Sequence, residues 1–190
     1  MSAAARRTAI LDVALDILRA DGEQAISIGS VAERAEVTRA LVYKHFDNRD
    51  DLAIALYRRE AQRLDDHLIE LVRGADGGFE SKLRALVRGL LDATDVWGRV
   101  FNPLSGTPAG PIGRRERRER QDRTIGFFAD LAARDYGLPA ERAHLAIRVL
   151  WGGLDPLMWQ VRPTSDTAER DALGDLYVQL VVDAVRGIDT

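Results

Sequence analysis

Residues 27–52 constrain the fold more than any other stretch of this chain. Ser27 is a good N-cap residue, because its hydroxyl can accept a hydrogen bond from a free backbone N–H one turn into a helix. A short helix beginning there would bury four apolar residues at helical spacing, which are Ile28, Val31, Ala32 and Ala35. Thr38 is a second N-cap candidate only three residues further on, so a tight turn and a second short helix are predicted to follow.

The second helix has an apolar inner side and a cationic outer side. Val42 and Phe46 lie one turn apart and are predicted to face inward. The residues predicted to face outward are Arg39, Ala40, Tyr43 and Lys44. A helix, a tight turn and a second helix with a cationic outer face form a helix-turn-helix, the motif that places its second helix in the major groove of DNA.

The segment A-E-V-T-R-A-L-V-Y-K-H-F-D-N-R-D-D-L at 35–52 resembles the signature of the tetracycline-repressor (TetR) family of bacterial transcription factors. In that family a small residue, Gly, Val and Ser/Thr precede a recognition helix that ends in Tyr-x-His/Tyr-Phe, and a basic residue and a Leu follow. The matching residues here are Ala35, Val37, Thr38, Tyr43, His45, Phe46, Arg49 and Leu52. Glu36 replaces the usual Gly, and a positive φ at this turn would cost a non-glycine residue about 1 kcal/mol.

The resemblance implies an all-α chain with two domains. Residues 1–47 would form the helix-turn-helix DNA-binding domain, and residues 48–190 a helical bundle for ligand binding and dimerisation. It also implies a homodimeric regulator, a repressor of a palindromic double-stranded DNA operator that responds to a small-molecule effector. The DNA-binding residues on this interpretation are Ser27, Thr38, Arg39, Ala40, Tyr43, Lys44, His45 and Arg49. Arg39 could contact guanine, and Tyr43, His45 and Arg49 match family positions that usually touch phosphates.

Charge alone does not indicate a nucleic-acid partner. The net charge is −3, and the first 50 residues contain seven basic and eight acidic side chains. The placement of the cations around the second helix is what favours DNA binding. At the chain start, Arg6 and Arg7 either reach phosphate or form a solvated end. We expect a cytoplasmic protein, because no apolar run reaches the roughly 20 residues of a membrane helix and the N-terminus lacks a signal-peptide core.

Helical periodicity continues through the rest of the chain, and no strand pattern is visible. We expect helices at about 6–21, 48–73, 79–98, 114–136, 139–160 and 166–186, with Pro156 ending or bending the fifth. Three prolines and three glycines at 102–113 predict a long loop or a broken short helix. The six arginines at 114–123 are either an anion site or a solvated helix face with Glu116–Arg120 and Glu119–Arg123 pairs. The interleaved acids favour the solvated face.

Enzyme chemistry finds little support in the sequence. It contains no cysteine, no glycine-rich phosphate loop and no nucleophile elbow, so we expect no catalytic residues, cofactor or metal site. Asp65, Asp66 and His67 are adjacent on one helix, and their side chains point in different directions. The alternative is a helical small-molecule-binding protein or enzyme with a vestigial helix-turn-helix.

An effector pocket and a dimer interface are predicted in the C-terminal part. The pocket candidates are His67, Trp97, Phe101, Phe128, Trp151, Met158 and Trp159, although ordinary core packing would use the same aromatic residues. The last two helices are too apolar for one buried face each, which indicates packing against a second copy or two central helices of a monomer. The interface candidates are Leu150, Leu154, Leu173, Leu176, Tyr177, Leu180, Val181 and Ala184.

Overall fold

A computed structural model describes residues 2–94, 97–160 and 166–189. All regular secondary structure in these ranges is helical, as the sequence predicts. The chain divides into two compact units, one formed by Met1–Arg63 and Val96–Arg117 and the other by Leu64–Asp95 and Arg118–Thr190. None of the described helices is both long and apolar enough to cross a membrane. The predicted functional boundary after residue 47 stays a prediction.

Ten α-helices are defined in the described residues. They are α1 (Ala3–Asp21), α2 (Ile28–Arg34), α3 (Arg39–Tyr43), α4 (Arg49–Gly74), α5 (Phe79–Asp92), α6 (Asn102–Leu104), α7 (Ala109–Tyr136), α8 (Ala140–Trp151), α9 (Leu154–Gln160) and α10 (Thr167–Arg186). A 3₁₀ turn at Glu23–Ala25 precedes α2, a π-helical turn at Trp97–Phe101 precedes α6, and a 3₁₀ turn at Gly187–Asp189 follows α10.

Local capping explains where several helices begin. The Ser2 hydroxyl accepts a hydrogen bond from the Ala5 N–H at 3.1 Å at the start of α1. The Asn48 side chain accepts from the Asp51 N–H at 2.9 Å and caps α4. The Asp166 carboxylate accepts from the Glu169 N–H at 2.7 Å and caps α10. Each cap satisfies an N–H group that has no partner within its own helix.

Two predicted helix boundaries differ from the structure. Of the two alternatives for 102–113, the broken short helix is confirmed, since α6 lies within the segment, but the helix predicted from 114 already begins at Ala109. Pro111 is tolerated because the first turn of a helix needs no N–H donor there. The predicted helix at 139–160 is interrupted at Gly152 and Gly153, before Pro156, which lies in the first turn of α9. The glycine pair ends α8 because it adds no side chain to stabilise the helix.

The core of the first unit lies beneath α2 and α3. Its largest fully buried side chains include Ile10, Ile17, Ile26, Val31, Val42, Phe46, Leu52 and Leu56. Gly113, at the start of α7, permits a close approach to α4, because an added Cβ atom would lie 2.3 Å from the Tyr57 ring. The Tyr57 ring also meets Phe101 edge-on, with 5.0 Å between ring centroids.

The second unit has a separate apolar core. Phe79 is at its centre, edge-on to Phe128 and Tyr136 with centroid distances of 6.0 and 5.7 Å. The long helices α5 and α10 pack closely at Gly174, where an added Cβ atom would lie 3.0 Å from Leu91. The Tyr177 hydroxyl donates to the Leu150 carbonyl at 2.7 Å, so a buried polar group finds a partner where α8 ends.

Candidate nucleic-acid interface

A capping box fixes the start of α2. The Ser27 hydroxyl accepts from the Ser30 N–H at 2.9 Å, and the Ser30 hydroxyl accepts from the Ser27 N–H at 3.0 Å. The Ser30 hydroxyl also donates to the Ala25 carbonyl at 2.7 Å. Ser27 is therefore the N-cap that the sequence predicts, and its contact with DNA stays a prediction.

The turn between α2 and α3 depends on Glu36. Its φ is 53°, and within the described ranges it is the only non-glycine residue with a positive φ. The Val37 N–H donates to the Ala32 carbonyl at 2.9 Å and the Glu36 N–H to the Glu33 carbonyl at 3.1 Å. These two bonds form a Schellman motif, in which glycine normally occupies the position of Glu36. The turn therefore has the geometry that glycine would support, with a glutamate in the strained position.

The predicted recognition helix, α3, has buried anchors on its inner side and exposed residues on its outer side. The Thr38 hydroxyl accepts from the Leu41 N–H at 3.2 Å and caps its first turn. Val42 and Phe46 are 0% and 1% exposed, so both inward-facing predictions are confirmed. The residues of the outer face, Arg39, Ala40, Tyr43 and Lys44, are exposed as predicted, and His45 is half-buried beside the Phe46 ring. Their contacts with bases or phosphates stay predictions.

Arg49 has structural partners that the sequence analysis missed. Its Nε donates to the Ile26 carbonyl at 2.8 Å and its Nη2 to the Glu23 carbonyl at 3.0 Å. Its guanidinium also pairs with the Glu23 carboxylate. These partners lie more than 20 residues away in sequence, and no local pattern identifies them. Arg49 therefore braces the start of α4 against the turn that precedes α2, and its predicted phosphate contact would compete with this role.

The N-terminal arginines differ in their surroundings. The Arg7 guanidinium lies 4.4 Å from the centroid of the Phe46 ring, a cation–π contact that holds α1 beside the end of the recognition helix. Arg7 is therefore not a solvated chain end. Arg6 is half-buried, and the two interpretations of its side chain stay open.

A charged network ties α4 to α1 in the same unit. Arg59 pairs with Asp12 at 2.7 Å and donates to the Leu11 carbonyl at 3.2 Å. It also pairs with Glu60 at 2.8 Å, and Glu60 is 6% exposed. A buried carboxylate is tolerated when it is paired and hydrogen-bonded, so this network can join α4 to α1 inside the unit.

The arginine-rich segment is only partly arranged as predicted. Glu116 pairs with Arg58 of α4 at 2.7 Å instead of with Arg120. Arg120 pairs with Asp65 at 2.7 Å. Burial raises the pKa of the Asp65 carboxyl, and the charges of Arg120 and Arg123 oppose that shift. The predicted Glu116–Arg120 pair is wrong because helix-to-helix partners compete with neighbours on the same helix.

The predicted pocket residues are distributed over both units. Phe128 is buried in the core of the second unit, Trp151 is half-buried with its ring 6.2 Å from that of Phe128, and Met158 packs against the same core. Phe101 is buried in the first unit, and His67 is exposed. The side chains of Trp97 and Trp159 lie outside the described residues. No three His, Asp or Glu side chains among the residues described could hold a metal ion together.

The predicted dimer residues fall into three groups. Leu176 and Leu180 of α10 are 58% and 59% exposed, and Ala184 one turn further is exposed as well. Leu150, Leu173 and Tyr177 are half-buried. Leu154 and Val181 were wrongly assigned to an outer face, since they are 3% and 4% exposed and pack in the core of the second unit. Two further apolar residues, Leu145 and Val149 of α8, are exposed and were not among the predicted set.

The fold and this interface define the class of the protein: an all-α chain carrying a capped helix-turn-helix with a cationic outer face. Residues 10–56 match the family model described as "Bacterial regulatory proteins, tetR family". This segment of the chain is thus similar to the TetR family, and the resemblance seen in the sequence is confirmed.

Individual relatives agree with that match. The chain is 31% identical over 88 residues to the HTH-type transcriptional regulator AcrR of Shigella flexneri, which is 46% of this chain and 41% of that protein. It is 30% identical over 96 residues to the HTH-type transcriptional regulator BetI of Paraburkholderia phytofirmans, covering 50% and 49% of the two chains. The chain thus spans about half the length of these curated relatives. A TetR-like transcriptional regulator from Rhodococcus sp. RHA1 has the same fold, with a TM-score of 0.69, 20% identity and coverage of 98% and 99%.

Proposed function

We propose that the chain is a transcriptional repressor that binds a palindromic double-stranded DNA operator as a homodimer and responds to a small-molecule effector. The observation that carries this proposal is the cationic outer face of α3. Val42 and Phe46 anchor the helix, while Arg39, Tyr43 and Lys44 are exposed to solvent. A rigid helix with exposed donors can enter the major groove without rearranging its own support.

The exposed side chains divide into base-reading and phosphate-holding groups. Arg39 begins α3, and the N-terminal residues of a recognition helix contact base edges. Its planar guanidinium can donate two parallel hydrogen bonds to guanine O6 and N7. The Tyr43 hydroxyl can donate to a phosphate, and Lys44 can contact either a base or a phosphate.

Homodimer formation is supported by the apolar faces that α8 and α10 leave exposed. Leu145 and Val149 lie one turn apart on α8, and Leu176 and Leu180 lie one turn apart on α10. Four exposed apolar side chains on two helices of one unit are a surface that a second copy could bury. A dimer would bind two half-sites with its recognition helices about 34–36 Å apart, and an effector would act by changing that spacing.

The effector site is proposed for the second unit. The rings of Phe128 and Trp151 lie 6.2 Å apart in its core, and Met158 packs against the same core, which favours a mostly apolar effector. Tryptophan fluorescence and thermal shift against a metabolite library test this assignment. We expect an apolar compound to change both signals, and a library without any such compound would count against the site.

DNA binding is tested most simply by gel shift. The duplexes are the regions that flank the gene of this protein, together with those selected by the protein from a random library. We expect a shifted band that weakens steeply with added salt, because phosphate contacts release counterions. The rival function, a ligand-binding protein or enzyme with a vestigial helix-turn-helix, predicts no shift on any duplex. As a DNA-binding regulator the protein would act in the cytoplasm.

A further inference from the structure

The side chain of Arg39 is folded against the neighbouring helix. Its guanidinium lies over Gly29, in the first turn of α2. A Cβ atom added to Gly29 in ideal geometry would lie 3.1 Å from Arg39 Nη2, 3.4 Å from Cζ and 3.5 Å from Nε. The guanidinium therefore lies beside the backbone of Gly29, and a side chain at position 29 would press on it closely enough to displace it by a few tenths of an ångström.

Backbone conformation does not require glycine at position 29. The glycines with a positive φ among the described residues are Gly22, Gly77 and Gly137, so Gly29 has a backbone that other residues adopt. Alanine is also a better helix former than glycine. What glycine provides at this place is room for the guanidinium of Arg39.

A fixed resting place matters for an arginine that reads a base. A long side chain loses conformational freedom when it is ordered on binding, and that loss opposes association. A guanidinium that packs beside α2 samples fewer positions than one in open solvent, and it approaches the groove from a defined side of the motif. Gly29 and Arg39 thus connect the two helices of the helix-turn-helix through one contact.

We propose that Gly29 is a positioning residue for Arg39. Its missing side chain lets the guanidinium settle on α2, and this placement sets the base preference of the recognition helix. The inference rests on the proposed function, because it requires Arg39 to contact DNA. It goes beyond that function because it makes the base preference of α3 depend on Gly29, a residue without a side chain.

A double-mutant cycle tests the inference with four proteins: wild type, Gly29→Ala, Arg39→Ala and the double variant. Fluorescence anisotropy gives their affinities for the duplex selected from the random library and for a scrambled duplex. We expect Gly29→Ala to weaken binding to the selected duplex about tenfold, within the range that one bidentate base contact provides. Binding to the scrambled duplex should change less than about threefold, because phosphate contacts are unaffected. In the Arg39→Ala background the glycine substitution should have no further effect.

Thermal unfolding separates positioning from damage to the fold. Gly29→Ala should not lower the unfolding midpoint, since alanine favours the helix and a flexible guanidinium can move aside. Gly126→Ala in α7 is the matched control, because its added Cβ atom meets no atom within 4 Å. This control should leave the affinity for both duplexes unchanged.

Two results would overturn the inference while the proposed function survives. One is a Gly29→Ala variant with wild-type affinity and selectivity. The other is an equal loss with and without Arg39, which would mean that the added methyl group acts on the duplex directly. Failure of wild-type protein to bind any duplex is a different result, and it would overturn the proposed function together with the inference.

Discussion

Replacing Glu36 by glycine should stabilise the protein, because Glu36 occupies a left-handed backbone conformation with a φ of 53°. That conformation costs an ordinary L-residue roughly 1–2 kcal/mol. Glycine would avoid this strain, but it loses about 0.5–1 kcal/mol through the greater freedom of the unfolded chain. The midpoints of these two ranges differ by about 0.75 kcal/mol, which is the expected net gain in the free energy of unfolding, or about 1.5–3 °C in the thermal midpoint for a chain of this size.

Urea unfolding followed by far-UV circular dichroism measures the effect. Glu36→Ala is the control, because it removes the carboxylate but keeps the Cβ atom that makes the backbone strained. Gly22→Ala gives the converse change: Gly22 has a φ of 83°, and its added Cβ atom would meet nothing within 4 Å. It should destabilise the protein by about 1–3 kcal/mol through backbone strain alone. A Glu36→Gly variant that is no more stable than wild type or than the Glu36→Ala control would refute the strained turn.

Three further perturbations test the rest of the account. Leu180→Glu should give a folded monomer by light scattering, because Leu180 is exposed. Val181→Glu should unfold the chain, because Val181 is buried. A stable Leu180→Glu dimer would place the interface elsewhere. Arg49→Ala should lower the free energy of unfolding by about 1–3 kcal/mol, because two backbone carbonyls and the Glu23 carboxylate lose their partner. Unchanged stability combined with uniformly weaker DNA binding would instead support a phosphate contact. Hydrogen bonds from the Arg134 side chain and then from the Phe79 N–H lower the pKa of the Asp135 carboxyl. Its stabilising contribution is therefore present above the unfolded-state pKa of about 3.9 and is lost as the pH falls through the lower folded-state value. Between pH 5 and pH 2, urea midpoints should fall further for wild type than for Asp135→Asn, and equal losses would show that this carboxylate does not contribute.

The parts of the fold that were predictable depend on neighbours in sequence. Ser27, Thr38 and Asn48 cap helices through bonds that span three residues, and Val42 and Phe46 face inward because they lie one helical turn apart. A strained turn at Glu36 was also foreseeable, because the family pattern places glycine there.

The parts that were not predictable depend on partners distant in sequence. The bonds of Arg49 span 23 and 26 residues, and the Arg58–Glu116 pair spans 58. For the same reason, periodicity on α10 could not separate the exposed Leu180 from the buried Val181. Leu180 and Val181 are adjacent apolar residues in the largely apolar segment 176–185, and they differ in what packs against them. The helix breaks at Gly152 and Gly153, whereas the sequence favours an end or bend at Pro156, because proline is the stronger helix breaker.

The central claim is that α3 reads DNA through Arg39, and a salt-dependent titration of wild type and Arg39→Ala tests it most directly. Both proteins are titrated by fluorescence anisotropy with the selected duplex and a scrambled duplex at several salt concentrations. We expect Arg39→Ala to lose about 1–3 kcal/mol of binding free energy on the selected duplex and much less on the scrambled one. Affinities of both proteins should fall steeply with salt. Equal affinities of the two proteins for every duplex would contradict the assignment of α3 as the recognition helix.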